Sequence, residues 1–374
     1  PGLDGQPSVQ WRKHPLFIDV YGVETSSMYQ WALSLIAHQD HPPTPLQMRL
    51  PAAIAGTLSV IALFLFARIL GGAPVALMAA FFLAISPWSI LFSRWALQGS
   101  FIPLLITAGV GGIISAKRCH YAWLLLSAIG FALAFYTYSG ARPFVLAFVV
   151  VASALHWRMA LDRSSRLWAV GAIALFMLLI APTLLAMFAP GGTARFQRIS
   201  VFSADRSFVE SLAVMARNYL LHYSPSFLFL HGDPQPRHSI TSFGVLYHIE
   251  FFFAVIGLIA LFLKRLPERY LLLAWLILFP VGAMLTDPRE MPHALRSIVA
   301  LPLPQLLAGY GAISAYLFYR KRLEARGRKP WEVCIPSSVA AAIILLSATA
   351  FAIDLFKYYP GYTMREWEAG FGDA

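Results

Sequence analysis

RLPAAIAGTLSVIALFLFAR, Arg49 to Arg68, holds eighteen consecutive uncharged residues between two arginines. A helix crosses the hydrocarbon core of a bilayer in about 20 residues, so this stretch predicts a transmembrane helix spanning 50–67 with a cation at each boundary. Nine further apolar runs follow, at 73–92, 100–116, 121–139, 143–156, 168–188, 247–263, 270–286, 298–318 and 333–353. The chain therefore reads as an all-α polytopic membrane protein of about ten transmembrane helices, with interfacial helices in its outer loops. The composition agrees: 58% hydrophobic, 13% charged, with a mean hydropathy of +0.64, is outside the range of soluble globular domains.

The loops between the runs set the orientation. Every second gap is basic: Arg68; Lys117 and Arg118; Arg158, Arg163 and Arg166; Lys264, Arg265 and Arg269; and Arg320, Lys321, Arg322, Arg326, Arg328 and Lys329. Such loops stay in the cytoplasm. With Asp162, Glu268, Glu324 and Glu332 on the same side, these fifteen cations and four anions carry the whole formal charge of +11. The basic excess is therefore topological, and a nucleic-acid partner is not expected. Cys119 and Cys334 both fall at inner ends of runs and build no disulfide framework. The chain opens in a polar outer segment without a signal peptide, and so reads as lacking at least one preceding span.

Polar weight on the outer side lies in residues 1–48, in residues 189–246, and in the turns 93–99, 139–142 and 287–296. Within the first segment SMYQWALSLIA (27–37) is apolar but too short to span, and reads as an interfacial helix. Phe208, Leu212, Met215 and Tyr219 recur at helical spacing in the second, again interfacial. The expected organisation is a first outer loop at 1–48, spans one to six over 49–188, a large outer loop at 189–246, spans seven to ten over 247–353, and the start of a further outer segment at 354–374.

Reactive side chains concentrate on this face. Arg49 precedes the first run (QMRLPAAIAG), Arg94 follows the second (FSRWALQG), Arg142 follows the fourth (YTYSGARPF), and His293 and Arg296 precede the ninth (DPREMPHALRS). Each alone reads as a snorkelling anchor for headgroup phosphate. Together, five cations in tight turns suit a phosphate or pyrophosphate at headgroup depth, because guanidinium offers planar paired donors to such anions. Asp19 and Glu24, in HPLFIDVYGVETSSMY, and Asp287 are the complementary carboxylates, able to act as a general base or simply to pair with Arg. HYSPSFLFLHGDPQPRHS (222–239) adds His231, Asp233 and Arg237 as substrate contacts, and Tyr138 lies in the 136–144 turn. His231, Asp233 and His238 could hold a divalent metal, but no ligand motif is present, so no metal and no cofactor is expected.

In their order, FIDVYGVE, QMRLPAAIAG, SPWSILFSRWALQG, AFYTYSGARPF, HYSPSFLFLHGD and PHALRSIVALP make the chain resemble bacterial glycosyltransferase family 39, relatives of the protein O-mannosyltransferases and the lipid A aminoarabinose transferase. The resemblance implies the GT-C fold, a polyprenyl-phosphate sugar as donor, and a catalytic acid in the first outer loop. It implies that Arg49, in R-x-P-x-A, holds the lipid phosphate and that Asp19 and Glu24 belong to the acidic catalytic segment. The main acidic motif of the family follows the first span and would precede Pro1. Tyr21-Gly22-Val23-Glu24 replaces a His-Pro-Pro element, Thr25 stands for a Lys, and Gln98 stands where several relatives have Asp.

The function expected is transfer of a sugar from that lipid to a protein, lipid A or glycan acceptor on the periplasmic face of the bacterial inner membrane, with inversion. A transporter or flippase would share the spans and the cations, but not the long outer loops.

Overall fold

The computed structural model describes residues 9–11, 17–20, 23–26, 28–36, 43–188, 194–202, 206–240, 242–287, 289 and 291–361. Glu290 and residues 362–374 lie outside that set, as do the side chains of Asp19 and Glu24.

The first outer loop forms a small antiparallel sheet of β1 (Val9–Trp11), β2 (Phe17–Val20) and β3 (Val23–Ser26) in the order β1-β2-β3. This departs from a reading in which the loop held only an interfacial helix. The local reason is legible: two β-rich runs flank the dipeptide Tyr21-Gly22, the pattern of a tight hairpin. In the register Asp19 stands directly opposite Glu24. The short helix α1 (Met28–Ser34) follows, within the stretch read as interfacial.

From there the chain is helical. α2 (Pro45–Ile85) starts at a Thr44/Gln47 capping box and carries the first two apolar runs as one element, broken at Gly72, whose φ of +81° is open to glycine without strain. Ser86 caps α3 (Pro87–Ser93), and α4 (Ile102–Arg118), α5 (Trp123–Thr137), α6 (Arg142–Leu155), α7 (Arg158–Leu161) and α8 (Arg166–Phe188) complete the first half. After α9 (Ala194–Ile199) and α10 (Phe208–Leu221) come α11 (His248–Leu263), α12 (Arg269–Leu278), α13 (Val281–Met284), α14 (Leu303–Ala325) and α15 (Cys334–Ile353).

Among the described residues, five helical stretches are long and apolar enough to cross a membrane: Pro45–Ile85, Gln98–Arg118, Arg166–Phe188, Ile298–Ala325 and Cys334–Gly361. Trp123–Thr137, Ser139–Leu155, His248–Leu263 and Arg269–Met284 are apolar but shorter. The first two apolar runs are two helices that meet at the non-helical Gly72, and other runs are helices interrupted by turns near the ends of the bundle. The surface is inside-out relative to a soluble protein, with Leu178 and Leu346 each 70% exposed while Ser59, Thr107, Ser115 and Thr183 are buried.

Small residues let the helices approach. α11 packs on α14 at Gly257 and Gly311, where an added Cβ would land on the carbonyls of Leu307 and Phe253. At the basic end of the bundle, Arg118 joins three helices. Its Nε and Nη2 donate to the two carboxylate oxygens of Glu268 at 2.8 and 3.0 Å, and its Nη1 donates to the Ile69 carbonyl at 2.6 Å.

Candidate functional site

The turns read as outer converge at the opposite end of the bundle. Trp88 Nε1 on α3 donates to the Ala294 carbonyl at 3.2 Å, and the Trp88 ring meets Phe227 edge-on. Phe92 stacks on His238, with Trp95 tilted against the same imidazole. Residues 199–201 pair with 285–287 through Val201 N to Leu285 O and Asp287 N to Ile199 O. Tyr29 of α1 donates to the Met48 carbonyl at 2.6 Å and packs edge-on against Phe101, which brings the first loop beside Arg49. Thr137, just before Tyr138, contacts Met28 Sδ at 2.9 Å.

Within this end the expected phosphate ligands fall into separate groups. Arg49 is exposed and makes no hydrogen bond or ion pair among the described residues. Arg94 lies close enough for the two charges to repel: burial first and then the Arg49 charge push the Arg94 pKa down, with Tyr359 opposing. The Arg94 guanidinium caps the Phe356 ring at 4.8 Å, and its Nη1 is buried without a hydrogen-bond partner among the described residues. Two like charges, one with an unsatisfied N–H, form a seat that an anion would complete.

Arg296 belongs to a second group. Its Nη1 donates to Thr286 Oγ1 at 3.0 Å, and Asn218 Nδ2 holds the Thr286 carbonyl at 2.9 Å. Arg142 is turned back onto its own neighbourhood, with Nε donating to the Phe135 carbonyl at 3.2 Å and the guanidinium over the Phe135 ring. Asp287 is engaged by Arg289 at 2.7 Å, which holds its carboxyl below the ordinary range. Tyr138 is largely buried beside Gly140. His231 is exposed, and Arg237 accepts at its carbonyl from Tyr359.

Asp233 is fully buried rather than open to solvent. Its Oδ1 accepts from Gln235 N at 2.8 Å and its Oδ2 from Ala294 N at 2.6 Å, so it ties the 231–240 loop to the 291–297 turn. His238 and His293 flank the same oxygen. The metal-ligand grouping read from sequence is therefore corrected: the convergent residues are Asp233, His238 and His293, and His231 is not among them. Sequence spacing could not pair His293 with residues some sixty positions earlier.

Three participants escaped the sequence reading. His222 is buried, accepts the His293 backbone N–H on Nε2 at 3.2 Å and has Nδ1 2.7 Å from the Asn218 carbonyl. Burial above all pushes its pKa below the ordinary imidazole value, and the same holds more strongly for His293, beside Arg296 and His238. Glu250, in the first turn of α11, is fully buried; it accepts from Tyr247 N at 2.8 Å and from Gln305 Nε2 at 3.3 Å. No local motif marks any of them.

α10 carries its expected apolar face outward. Ser211 and Asn218 pack against the protein, while Phe208 is 68% and Val209 73% exposed. Such a face is solvated by lipid in an interfacial helix.

Residues 25–185 match the family model for dolichyl-phosphate-mannose-protein mannosyltransferases. The fold is similar to that of the archaeal oligosaccharyltransferase AglB from Archaeoglobus fulgidus in complex with an inhibitory peptide and a dolichol-phosphate. That match has a TM-score of 0.50 and 14% identity, and it covers 82% of this chain and 44% of the other. The Archaeoglobus fulgidus oligosaccharyltransferase tethered to an acceptor peptide gives a TM-score of 0.48 at 14% identity, over 88% of this chain and 48% of the other. The chain spans less than half the length of these structures. No curated protein matches it by sequence. The family model covers less than half of the chain, and the likeness to the solved structures is one of fold.

Proposed function

We propose that this GT-C chain is part of a membrane glycosyltransferase that moves a sugar from a polyprenyl-phosphate donor to a protein, lipid A or glycan acceptor. The proposed topology is ten membrane-crossing segments with the loops 1–48 and 189–246 on the periplasmic face of the bacterial inner membrane. The observation that carries the reading is the Arg49–Arg94 pair: two neighbouring guanidiniums, one at the start of α2 and one at the end of α3, with a buried N–H of Arg94 left for an anion.

The chemistry follows from where the leaving group is fixed. A sugar phosphate attached to a long prenol presents its phosphate at the membrane boundary, where cations held in a low-dielectric wall stabilise the charge that develops as the anomeric C–O bond breaks. Arg49 and Arg94 serve that phosphate, with Arg296 and His293 on the neighbouring turn and Arg142 on the turn after α5. The acceptor hydroxyl or amine loses its proton to a carboxylate as it attacks the opposite face of the sugar, and the anomeric centre inverts. Asp19 and Glu24, opposed in the β2–β3 register, supply the carboxylate or support the one that does. Tyr138, His231, Asp233 and Arg237 belong to the substrate-facing turns, Asp233 through its hold on the 291–297 turn. The AglB complex, of similar fold, holds an inhibitory peptide and a dolichol-phosphate.

The test is transfer from a radiolabelled polyprenyl-phosphate sugar to membrane acceptors by the reconstituted full-length protein. Asp19→Asn or Glu24→Gln should lower transfer by about 10²–10⁴-fold while lipid-donor binding stays near wild type. Movement of the labelled lipid between leaflets with no sugar transferred to any acceptor would instead identify a flippase.

A further inference from the structure

Asp233, His238 and His293 bring one ligand-type atom each to a common point, all within 4.8 Å of one another. Asp233 Oδ2 is 3.3 Å from His238 Nδ1 and 3.4 Å from His293 Nδ1. These are not hydrogen bonds. Both imidazole Nδ1 atoms are buried and have no hydrogen-bond partner among the described residues, and the His293 side chain is only 5% exposed.

Two features separate this cluster from an ordinary buried Asp–His pair. An imidazole N–H donating to a carboxylate sits at about 2.7–2.9 Å, and a single oxygen rarely draws two imidazoles to a longer, equal distance without bonding either. A tetrahedral zinc with bonds of about 2.0–2.2 Å to nitrogen and oxygen instead holds its ligand atoms about 3.3–3.5 Å apart. Both measured separations fall there.

The surroundings also match those of a metal ligand set. The carboxylate is fixed by backbone donors from both loops, Gln235 N on Oδ1 and Ala294 N on Oδ2, as ligands commonly are by outer-shell partners. The His293 backbone N–H is held by His222, and the His238 and His293 rings lie 4.6 Å apart between Phe92 and the 291–297 turn. These contacts orient the rings and leave their Nδ1 atoms for something else.

We propose that Asp233, His238 and His293 form a divalent transition-metal site, with zinc as the ion whose bond lengths the spacing fits. Two imidazoles and one carboxylate make a three-protein-ligand set, with a further position for water or a substrate oxygen. The ion clips the 231–240 loop to the 291–297 turn and so fixes Arg237 and Arg296, which flank it. This assignment does not rest on the transfer reaction, and would hold for a flippase as well.

The full-length protein in lipid nanodiscs, stripped with chelator and then titrated with zinc, tests it directly. The expected result is one zinc bound per chain by elemental analysis, a zinc-dependent rise in Tm, and visible ligand-field absorption when cobalt(II) replaces zinc. His238→Gln and Asp233→Asn should each weaken zinc binding by at least the about 10–100-fold that loss of even an outer-shell partner costs. His248→Gln, at an exposed imidazole outside the cluster, should leave it unchanged. Should Asp233→Asn fail to fold, His238→Gln, nearer the surface of the cluster, decides alone. A stripped wild type that binds no stoichiometric zinc and shows no Tm response overturns the assignment, as does binding that survives His238→Gln.

Discussion

Replacing Arg94 should make the ligand-free protein no less stable while weakening its hold on a lipid phosphate, an opposition that a simple headgroup anchor would not produce. Arg94 is partly buried, lies beside the like charge of Arg49, and has Nη1 buried without a partner among the described residues. Leaving a buried donor unsatisfied costs about 1–3 kcal/mol, and partial exposure of Arg94 brings this toward the lower end. Arg94→Met keeps an unbranched apolar stem and removes the charge, together with the guanidinium's contact on the Phe356 ring. The apo protein should then keep its Tm or gain up to about 2–4 °C. Loss of a charge-assisted contact to an anion costs about 1.5–3 kcal/mol, which weakens polyprenyl-phosphate binding by roughly 10- to 150-fold. Both quantities are read on one nanodisc preparation, Tm by differential scanning fluorimetry and affinity by displacement of a fluorescent polyprenyl phosphate. A fall in apo Tm with unchanged affinity would refute the phosphate-seat reasoning, and Arg94 would then be a structural residue. Arg49→Ala should repeat the affinity loss, with less effect on stability because Arg49 is exposed.

Orientation is checked by thiol labelling in sealed cells. A cysteine at exposed Pro234 should react with an impermeant reagent from outside and one at Ala325 should not, whereas buried Ser239 would be a poor probe. At the basic end, Glu268→Ala removes both acceptors of the Arg118 fork from a nearly dry position, and should lower stability by about 3 kcal/mol in detergent denaturation. Glu268→Gln should recover part of that. Gly311→Ala puts a methyl on the Phe253 carbonyl and should force α11 from α14, costing about 1–3 kcal/mol; a neutral effect on Tm would show that this contact is looser than drawn.

The helical character of the chain, its two chemically distinct ends and most of its helix positions were legible in the sequence, because a membrane imposes one dominant local rule. Uncharged runs of bilayer length must be helical, and basic loops must alternate. The GT-C resemblance was legible too, since its short motifs recur in order, and α10 formed where Phe208, Leu212, Met215 and Tyr219 marked it. The sequence separated the first two runs at residues 68–72, and the structure breaks the helical path there, at Gly72 with φ +81°. The β2–β3 hairpin was passed over because a membrane-based reading looked in the first loop only for a helix.

Grouping of the polar residues was decided only by tertiary structure. Arg49 and Arg94 come near each other because the helical path of 45–85 breaks at the non-helical Gly72, and Ser93 at the end of α3 lies against Gly56 near the start of α2. Asp233 turned out to be a buried staple rather than an open contact, and it reaches across to the His293–Ala294 peptide. His293 joins Asp233 and His238 over a separation that no periodicity encodes, and packing buries His222 against the His293 backbone and, separately, Glu250 against Gln305. Local sequence sets which segments leave water. Which charges must then share a dry space depends on how helices far apart in the chain pack, and that is a property of the fold as a whole.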